Sequence, residues 1–317
     1  MEYSKTKGLL LFAYRLGIGY VFWYIVRISA NKLNLRPIYK VSGTKLISLM
    51  KQFIVEKYGS FIEKIQDNYE KEKDMDDNAH TQIIWFFWAQ GEDSMPELVK
   101  INIESIKRNA GGREIVVLDK KNINDYIELP NYIYEKLNNG QISPTHFSDI
   151  LRFNLLYKYG GLWLDATIFI SSKIPDICFQ KRLFAFNYKH LSHYSQEKWE
   201  FFCLGAASHS LFMFYFSRLL NYYWLKEKYA FHYYMADIIM LVAYDKFCEV
   251  KSDIDNISIN NSIFSLYEYI KLNEKSFSID KALEICKKSF AHKFDRRFIS
   301  NEHALILKQI LNKLTDY

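Results

Sequence analysis

Between residues 81 and 170, short β-rich runs alternate with longer runs of helical character. Two of the β-rich runs are TQIIWFFWAQ (81–90) and REIVVLD (113–119), whose aromatic and β-branched residues predict buried strands. The helical run between them is MPELVKINIESIKRNAG (95–111), with apolar residues at helical spacing, an early proline and a final glycine. This strand, helix and strand predict a βαβ unit, and therefore an α/β fold on a mostly parallel sheet.

The next helix leads directly into a very apolar run. In SPTHFSDILRFNLLYKYGG (143–161), Ser143 and Pro144 stand where a helix begins and Gly160 stands where it ends. The run LWLDATIFI (162–170) follows and is predicted to be one strand. A strand period of two would place Asp165 and Thr167 on the same face.

Asp165 is the only carboxylate in this apolar run. Burying it without a partner would cost several kcal/mol, so a partner must come from outside the run. A carboxylate and a hydroxyl near the end of a parallel strand can hold a divalent cation with a nucleotide diphosphate. A buried ion pair with an arginine is the alternative.

Asp149 and Arg152 are three residues apart and are therefore neighbours on the face of the preceding helix. An ordinary ion pair between them would explain their presence without a functional role.

Two segments together resemble a known family. They are IIWFFWAQGEDSMPELVKINIESIKRN (83–109) and THFSDILRFNLLYKYGGLWLDATIFIS (145–171). They resemble the capsular polysaccharide synthesis family of bacterial glycosyltransferases and, more distantly, DxD-motif sugar transferases such as yeast mannosyltransferases and the glucosylating clostridial toxins. The pattern SDxxR…YGGxWxDxT is specific because it fixes a helix face, a glycine turn and a strand carboxylate together.

The resemblance implies a GT-A nucleotide-sugar transferase fold, a mostly parallel, Rossmann-like sheet with helices on both faces. The composition of the first 60 residues adds an N-terminal helical segment before it. It implies that Asp149 and Arg152 lie near the donor sugar and diphosphate and that Asp165 is the first carboxylate of the metal motif. The donor-binding set that it implies is Trp88, Gln90, Gly91, His146, Gly160, Gly161, Thr167 and Lys293. For His146, a helix cap and a place in the donor pocket both stay open.

The implied cofactor is a divalent cation, Mn²⁺ or Mg²⁺. Thr167 stands where a second Asp would complete the DxD motif, and a neutral hydroxyl is a poorer ligand, so the cation would be weakly held. The resemblance offers His292, in SFAHKFDRRFI (289–299), as a further metal ligand, with Lys293 on the phosphates. The alternative for His292 is an ordinary core or surface histidine.

The acceptor side is expected in two aromatic-rich runs that read as helices. They are EKWEFFCLGAASHSLFMFYFSRLLNYYW (197–224) and YYMADIIMLVAYDKF (233–247). Trp199 and Asp237 are the candidate acceptor-side residues, because aromatic faces stack on sugars and Asp237 interrupts an apolar helix. Core packing for the tryptophan and a structural ion pair for the aspartate are the alternatives.

The basic character of the chain is concentrated in residues 1–60, which hold ten Lys or Arg against two Glu, a net +8 within a total of +6. The apolar run GLLLFAYRLGIGYVFWYIVRISANKL (8–33) is split by Arg15 and Arg27, so it is too short to span a bilayer. It predicts an interfacial helix on an anionic membrane; a helix packed on the catalytic domain is the alternative. This charge distribution argues against nucleic acid as a partner.

Three regions follow from these patterns: a basic, apolar helical segment (1–60), a charged linker (61–80) and a glycosyltransferase domain (81–317). The four cysteines are scattered without a CxxC pair, which argues against a zinc knuckle and favours a reducing cytoplasm.

The expected protein is a nucleotide-sugar-dependent hexosyltransferase of capsule or surface polysaccharide synthesis. It would lie on the inner face of the cell membrane and act on a lipid-linked oligosaccharide acceptor, with retention of anomeric configuration, as the resemblance implies. The alternative is a catalytically inactive, membrane-associated sugar-binding or scaffold protein of the same pathway.

Overall fold

A computed structural model describes most of the chain. The described ranges are 5–72, 80–187, 194–196, 198–258, 262–273, 276–295 and 301–314. The helices in these ranges are α1 Lys5–Lys32, α2 Arg36–Glu72, α3 Glu97–Asn109, α4 Ile123–Tyr126, α5 Asn131–Asn138, α6 Pro144–Tyr159, α7 Ile177–Gln180, α8 Leu211–Lys226, α9 Met235–Lys246, α10 Cys248–Asp255, α11 Ser265–Leu272, α12 Ile279–Cys286 and α13 Asn301–Leu314, with a 3₁₀ turn at Glu92–Ser94. The strands are β1 Ile83–Phe87, β2 Glu114–Leu118, β3 Gly161–Leu164, β4 Ile168–Ile170, β5 Leu183–Phe186, β6 Glu200–Ala206 and β7 Ala291–Lys293.

A five-stranded sheet in the order β2-β1-β3-β6-β5 forms the centre of the fold. β1 pairs in parallel with β2 and with β3, whereas β6 runs antiparallel to both β3 and β5. Four of the five strands therefore point the same way, and the predictions of the βαβ unit and of a mostly parallel sheet are confirmed. β4 and β7 form a separate antiparallel pair.

Alternate side chains of the central strands enter two different cores. Trp85 and Trp163 lie in the core formed with α6, α8 and α9. Leu162 and Leu164 lie in the core formed with α3 on the other face. Helices consequently cover both faces of the sheet, as predicted.

The run 162–170 is not the single strand that its apolar pattern predicts. β3 ends at Leu164, Asp165 begins a turn, and the amide N of Ile168 donates to the Asp165 carbonyl over 3.0 Å. β4 then leaves the central sheet and pairs with β7. The strict alternation of faces across the run is therefore wrong, because the chain changes direction at the carboxylate.

Residues 200–206, which were expected to be helical, form β6 beside β3 in the sheet. Helix propensity and apolar content do not distinguish a fully buried strand from a buried helix. In the structure, this segment is a strand of the central sheet. The remainder of that run does form a helix, α8, and the second aromatic run forms α9.

The two N-terminal helices pack against each other, and α2 packs against α8 and α9. α1 has a kink at Gly17, where the backbone φ is 81°. α2 continues unbroken to Glu72 and buries Ile62, Ile65 and Tyr69, so residues 61–72 of the expected linker are part of this helix. Residues 73–79 of that linker lie outside the described residues. Among the described helices, none has both the length and the apolarity needed to cross a membrane.

Candidate functional site

Asp165 lies at the carboxyl end of β3, directly after the strand. Its amide N donates to the Phe202 carbonyl on β6 over 2.9 Å, which ties the start of the turn to the sheet. On α3, the Asn102 side chain donates to the Ala166 carbonyl over 2.8 Å and holds the turn from the other side. The carboxylate therefore stands at the edge of the sheet where α/β proteins bind ligands.

Three donors reach the Asp165 carboxylate. Oδ1 accepts from Nη2 of Arg152 and from Nε1 of Trp163, both over 2.9 Å, and Oδ2 accepts from Nζ of Lys293 over 3.2 Å. Burial alone would raise the pKa of Asp165, but the two cations and the Trp163 hydrogen bond hold it below its usual value. The chain's own arginine and lysine thus compensate this carboxylate, which is the ion-pair alternative stated from the sequence.

Lys293 joins Asp165 to Thr167. Its Nζ donates to the Thr167 hydroxyl over 2.6 Å as well as to the carboxylate, and it lies 4.9 Å from the centre of the Phe202 ring. The structure therefore brings Asp165 and Thr167 together, though through a turn and a lysine rather than through one strand face. The lysine comes from β7, whose Lys293 pairs with Ile168 of β4.

Arg152 lies on α6 behind Asp165. Its side chain is only 5% exposed, and its guanidinium also lies 3.6 Å from Oδ1 of Asp149 and over the Trp163 ring at 5.2 Å. Its Nε is buried and has no hydrogen-bond partner. Arg152 is therefore placed to orient Asp165, and its burial keeps it from facing the open edge of the site.

Gly160 and Gly161 are required by close packing of the backbone. Their φ angles are +68° and +95°, which favour glycine. A Cβ on Gly161 would lie 2.4 Å from the Ile83 carbonyl oxygen, and one on Gly160 would lie 2.7 Å from the Ser208 amide N. The two glycines let the start of β3 lie close to neighbouring backbone segments. They contribute to the site indirectly, because they position β3 and therefore Asp165 at its end.

The expected donor-binding residues Trp88, Gln90 and Gly91 form the loop after β1. Because Phe86 is in register with Leu164, this loop leaves the sheet at the same edge as Asp165. Trp88 is half-buried, and its Nε1 is buried without a hydrogen-bond partner. Gly91 has a φ of 84° at the start of the 3₁₀ turn.

His146 is in the first turn of α6, where Ser143 caps the helix by accepting from the His146 amide N over 3.2 Å. The imidazole Nδ1 lies 3.1 Å from the Ser143 hydroxyl, and Nε2 lies 3.2 Å from the Tyr233 carbonyl. The contacts with Ser143 stabilise the first turn of α6. The contact with Tyr233 links α6 to the segment before α9.

The two candidate acceptor-side residues are in direct contact. Trp199 donates from Nε1 to Oδ1 of Asp237 over 3.0 Å, and Trp199 itself is fully buried. Burial and the nearby Asp149 raise the pKa of Asp237 to about 7, against the Trp199 hydrogen bond, which lowers it. The tryptophan is therefore core, and its interaction is with the aspartate.

Glu200 is a member of this charged group that the sequence did not indicate. Burial, and next the charge of Asp237, raise its pKa to about 8, while Lys293 lowers it. Nothing marks Glu200 in its aromatic surroundings, because only the antiparallel placement of β6 brings it to the site. Asn102 was missed for the same reason: its role depends on the turn at Asp165.

His292 does not join Asp165. It is fully buried on β7, its Nε2 lies 3.0 Å from the Ser171 hydroxyl, and burial lowers its pKa to about 4. Successive strand residues point to opposite faces, so His292 points away from the side on which Lys293 meets the carboxylate. The expected pair of metal ligands is therefore not formed.

The side chains around Asp165 do not fit the expected divalent cation. Both carboxylate oxygens already accept from cationic groups, and the ammonium of Lys293 holds the Thr167 hydroxyl. Within the described ranges, no three His, Cys, Asp or Glu side chains are grouped so as to hold a metal ion. A metal at Asp165 would stand beside an ammonium of like charge.

A family model for capsular polysaccharide synthesis proteins matches residues 36–314 of this chain. The match spans most of the sequence, and the protein therefore belongs to that family. The family resemblance inferred from the two sequence segments is confirmed.

Several curated proteins match a shorter part of the chain. They are the O-glycosyltransferase braB of Annulohypoxylon truncatum (34% identical over 108 residues, 31% of this chain and 25% of the relative), the O-glycosyltransferase PaGT of Phomopsis amygdali (32% over 103 residues, 30% and 25%) and the glycosyltransferase afumC of Aspergillus fumigatus (26% over 110 residues, 32% and 28%). The matched segment spans only about a quarter of the length of these relatives.

Among solved structures, the chain is similar to PaToxG glycosyltransferase, with 10% identity and a TM-score of 0.39 over 84% of this chain and 95% of that one. A likeness at this level adds nothing to the fold described above.

The pKa of Glu200 predicts a stability change with pH. Between the usual glutamate value and about 8, the native protein keeps a proton that the unfolded chain has lost, so stability falls as pH rises through this window. Glu200→Gln removes this contribution, and its melting temperature should fall less than that of wild type between pH 5 and pH 8. In a chain of 317 residues, 1 kcal/mol corresponds to a difference of at most about 2–4 °C.

Thermal melts across pH 5 to 8 measure the effect, with Glu135→Gln, a change at an exposed helix position, as the matched control. Parallel curves for wild type and Glu200→Gln would contradict the assignment.

Proposed function

We propose that this protein is a glycosyltransferase of capsule or surface polysaccharide assembly that moves a sugar from a nucleotide-sugar donor to an acceptor hydroxyl. The observation that carries the proposal is the Asp165 carboxylate, fixed at the carboxyl edge of the sheet by Arg152, Trp163 and Lys293. A fixed carboxylate beside a partly exposed ammonium suits a reaction in which an anionic diphosphate leaves. Membership of the family and similarity to named glycosyltransferases favour the same reaction.

In this reaction, the bond between the sugar C1 and the diphosphate oxygen breaks, and its electron pair leaves with the nucleoside diphosphate. A bond forms between C1 and the acceptor oxygen, and the proton of the acceptor hydroxyl passes to the departing diphosphate oxygen. The ammonium of Lys293, whose side chain is 19% exposed, is the cation placed to meet the developing charge on the diphosphate. Asp165 holds that ammonium in position, and Arg152 orients Asp165.

The donor would lie along the carboxyl edge between the loop after β1 and the Asp165 turn. The unpartnered Nε1 of Trp88 offers a hydrogen bond to a ligand at this edge. A GT-A type fold, a hexose as the transferred sugar and retention of anomeric configuration complete the proposal on the strength of the family resemblance.

We assign the acceptor to a lipid-linked oligosaccharide at the inner face of the cell membrane because of the outer face of α1. Leu16 and Tyr20 of this helix are buried in the core. Its opposite side exposes apolar residues at helical spacing: Tyr14, Ile18, Phe22, Ile25 and Ile28. With the net +8 of residues 1–60, this face has the composition of a surface that binds anionic lipid.

Asp165→Glu tests the site. It keeps the charge and moves the carboxylate by about one methylene, and a displacement of about 1 Å can reduce turnover about 100-fold. We expect one nucleotide sugar of a panel to yield free nucleoside diphosphate with wild type, and about 100-fold less with Asp165→Glu.

The matched control is Asp253→Glu, which changes a carboxylate paired with Arg182 over 2.6 Å outside the site and should stay within about two-fold. Release from no member of the panel would contradict transfer and favour an inactive sugar-binding or scaffold protein. Unchanged turnover by Asp165→Glu would contradict the role of Asp165.

Vesicle sedimentation tests the membrane assignment. Wild type should pellet with anionic vesicles more than with neutral ones, and raised salt should release part of it. The double variant Ile18→Ser/Phe22→Ser should lose most of this binding. Leu272→Ser, which changes an equally exposed leucine on α11, should bind like wild type. Equal binding of wild type to both vesicle types would contradict the role of the basic residues. Binding of the double variant equal to that of wild type would contradict the role of the exposed apolar residues.

A further inference from the structure

We propose that the Lys293 ammonium takes the place of a divalent cation at the leaving diphosphate, so that transfer by this protein does not depend on a metal. This inference rests on the proposed function and concerns the same site. Three observations support it. The ammonium contacts Asp165 and Thr167, hydrogen bonds hold the backbone of the lysine, and His292 points away from the site.

The ammonium joins the two side-chain oxygens that a cation in a DxD-like motif would bind. Nζ lies 3.2 Å from Oδ2 of Asp165 and 2.6 Å from the Thr167 hydroxyl oxygen. An ammonium has three protons to donate, and these contacts use two of them. The third proton is left for an oxygen of the diphosphate.

The sequence change at Thr167 agrees with this arrangement. A second carboxylate would suit a doubly charged ion, whereas a hydroxyl is an adequate acceptor for an ammonium. The cationic charge that a diphosphate would meet is the Lys293 ammonium, because Arg152 is only 5% exposed and is paired with Asp149 as well as with Asp165.

Lys293 is held in position by its backbone before any ligand binds. Its amide N donates to the Ile263 carbonyl over 2.8 Å, and the amide N of Phe294 donates to the Thr167 carbonyl over 3.0 Å. The Phe202 ring covers the ammonium at 4.9 Å. A cation fixed in this way needs no reorganisation when charge develops on the leaving group.

The remaining ligand expected for a metal does not reach the site. His292, the neighbour of Lys293 on β7, points to the opposite face and contacts Ser171. A divalent ion at Asp165 would therefore have few protein ligands and would be repelled by the ammonium.

Binding of inorganic pyrophosphate and of Mn²⁺ to the full chain tests the inference without sugar transfer. In EDTA, calorimetry should detect pyrophosphate binding to wild type, and Lys293→Met should weaken it at least ten-fold. Lys293→Arg, which keeps the charge, should retain most of it. Lys287→Met, which removes an exposed lysine after α12, should bind like wild type. Mn²⁺ alone, followed by electron paramagnetic resonance, should show no tight site in wild type.

Turnover of the donor identified in the panel should survive exhaustive EDTA treatment with at least half its rate. Pyrophosphate binding that requires Mn²⁺, or turnover abolished by EDTA and restored by Mn²⁺, would overturn the inference while leaving the transferase intact. Lysine-dependent, metal-free pyrophosphate binding without turnover of any donor would instead overturn the proposed function alone. The wild-type measurements decide the question even if Lys293→Met fails to fold.

Discussion

The Asp165 carboxylate, held between Arg152 and Lys293, is the interaction on which the arrangement of the site depends. It joins three parts of the chain that are distant in sequence: α6, the end of β3 and strand β7. A carboxylate at this depth must be compensated, and here the protein supplies both cations itself. The strand break at Asp165 follows from the same need, because the turn aims the carboxylate at donors on either side.

This arrangement also organises the charges around it. Asp149 lies beside Arg152. Burial, with the charge of Asp149, raises the pKa of Asp237, and burial, with the charge of Asp237, raises the pKa of Glu200. Acids of this kind release protons near neutral pH, whereas Asp165 stays ionised through its cations. The site therefore combines a carboxylate that stays ionised, Asp165, with two acids whose pKa values lie near neutral pH, and the Lys293 ammonium contacts Asp165 and acts on Glu200.

Part of this arrangement could be predicted from local patterns in the sequence. The Ser143 cap, the glycine end of α6 and the ion pair of Asp149 with Arg152 follow from spacing along one helix. The need of Asp165 for a partner follows from its apolar run, but only the structure identifies Arg152 as that partner. Other features depend on long-range pairing and could not be read locally. β4 leaves the sheet because β7 is its partner, and Glu200 reaches the site because β6 inserts antiparallel beside β3. Strand β7 also decides which of two adjacent residues, 292 or 293, faces the carboxylate.

The free energy of unfolding of Asp165→Asn in urea tests most directly whether the chain's own cations compensate this carboxylate. The variant keeps the size and removes the charge, so it leaves Arg152 and Lys293 without their shared partner. We expect a loss of about 3 kcal/mol. Glu63→Gln, which breaks an exposed pair with Lys246, should lose less than about 1 kcal/mol. An Asp165→Asn protein as stable as wild type would contradict the account.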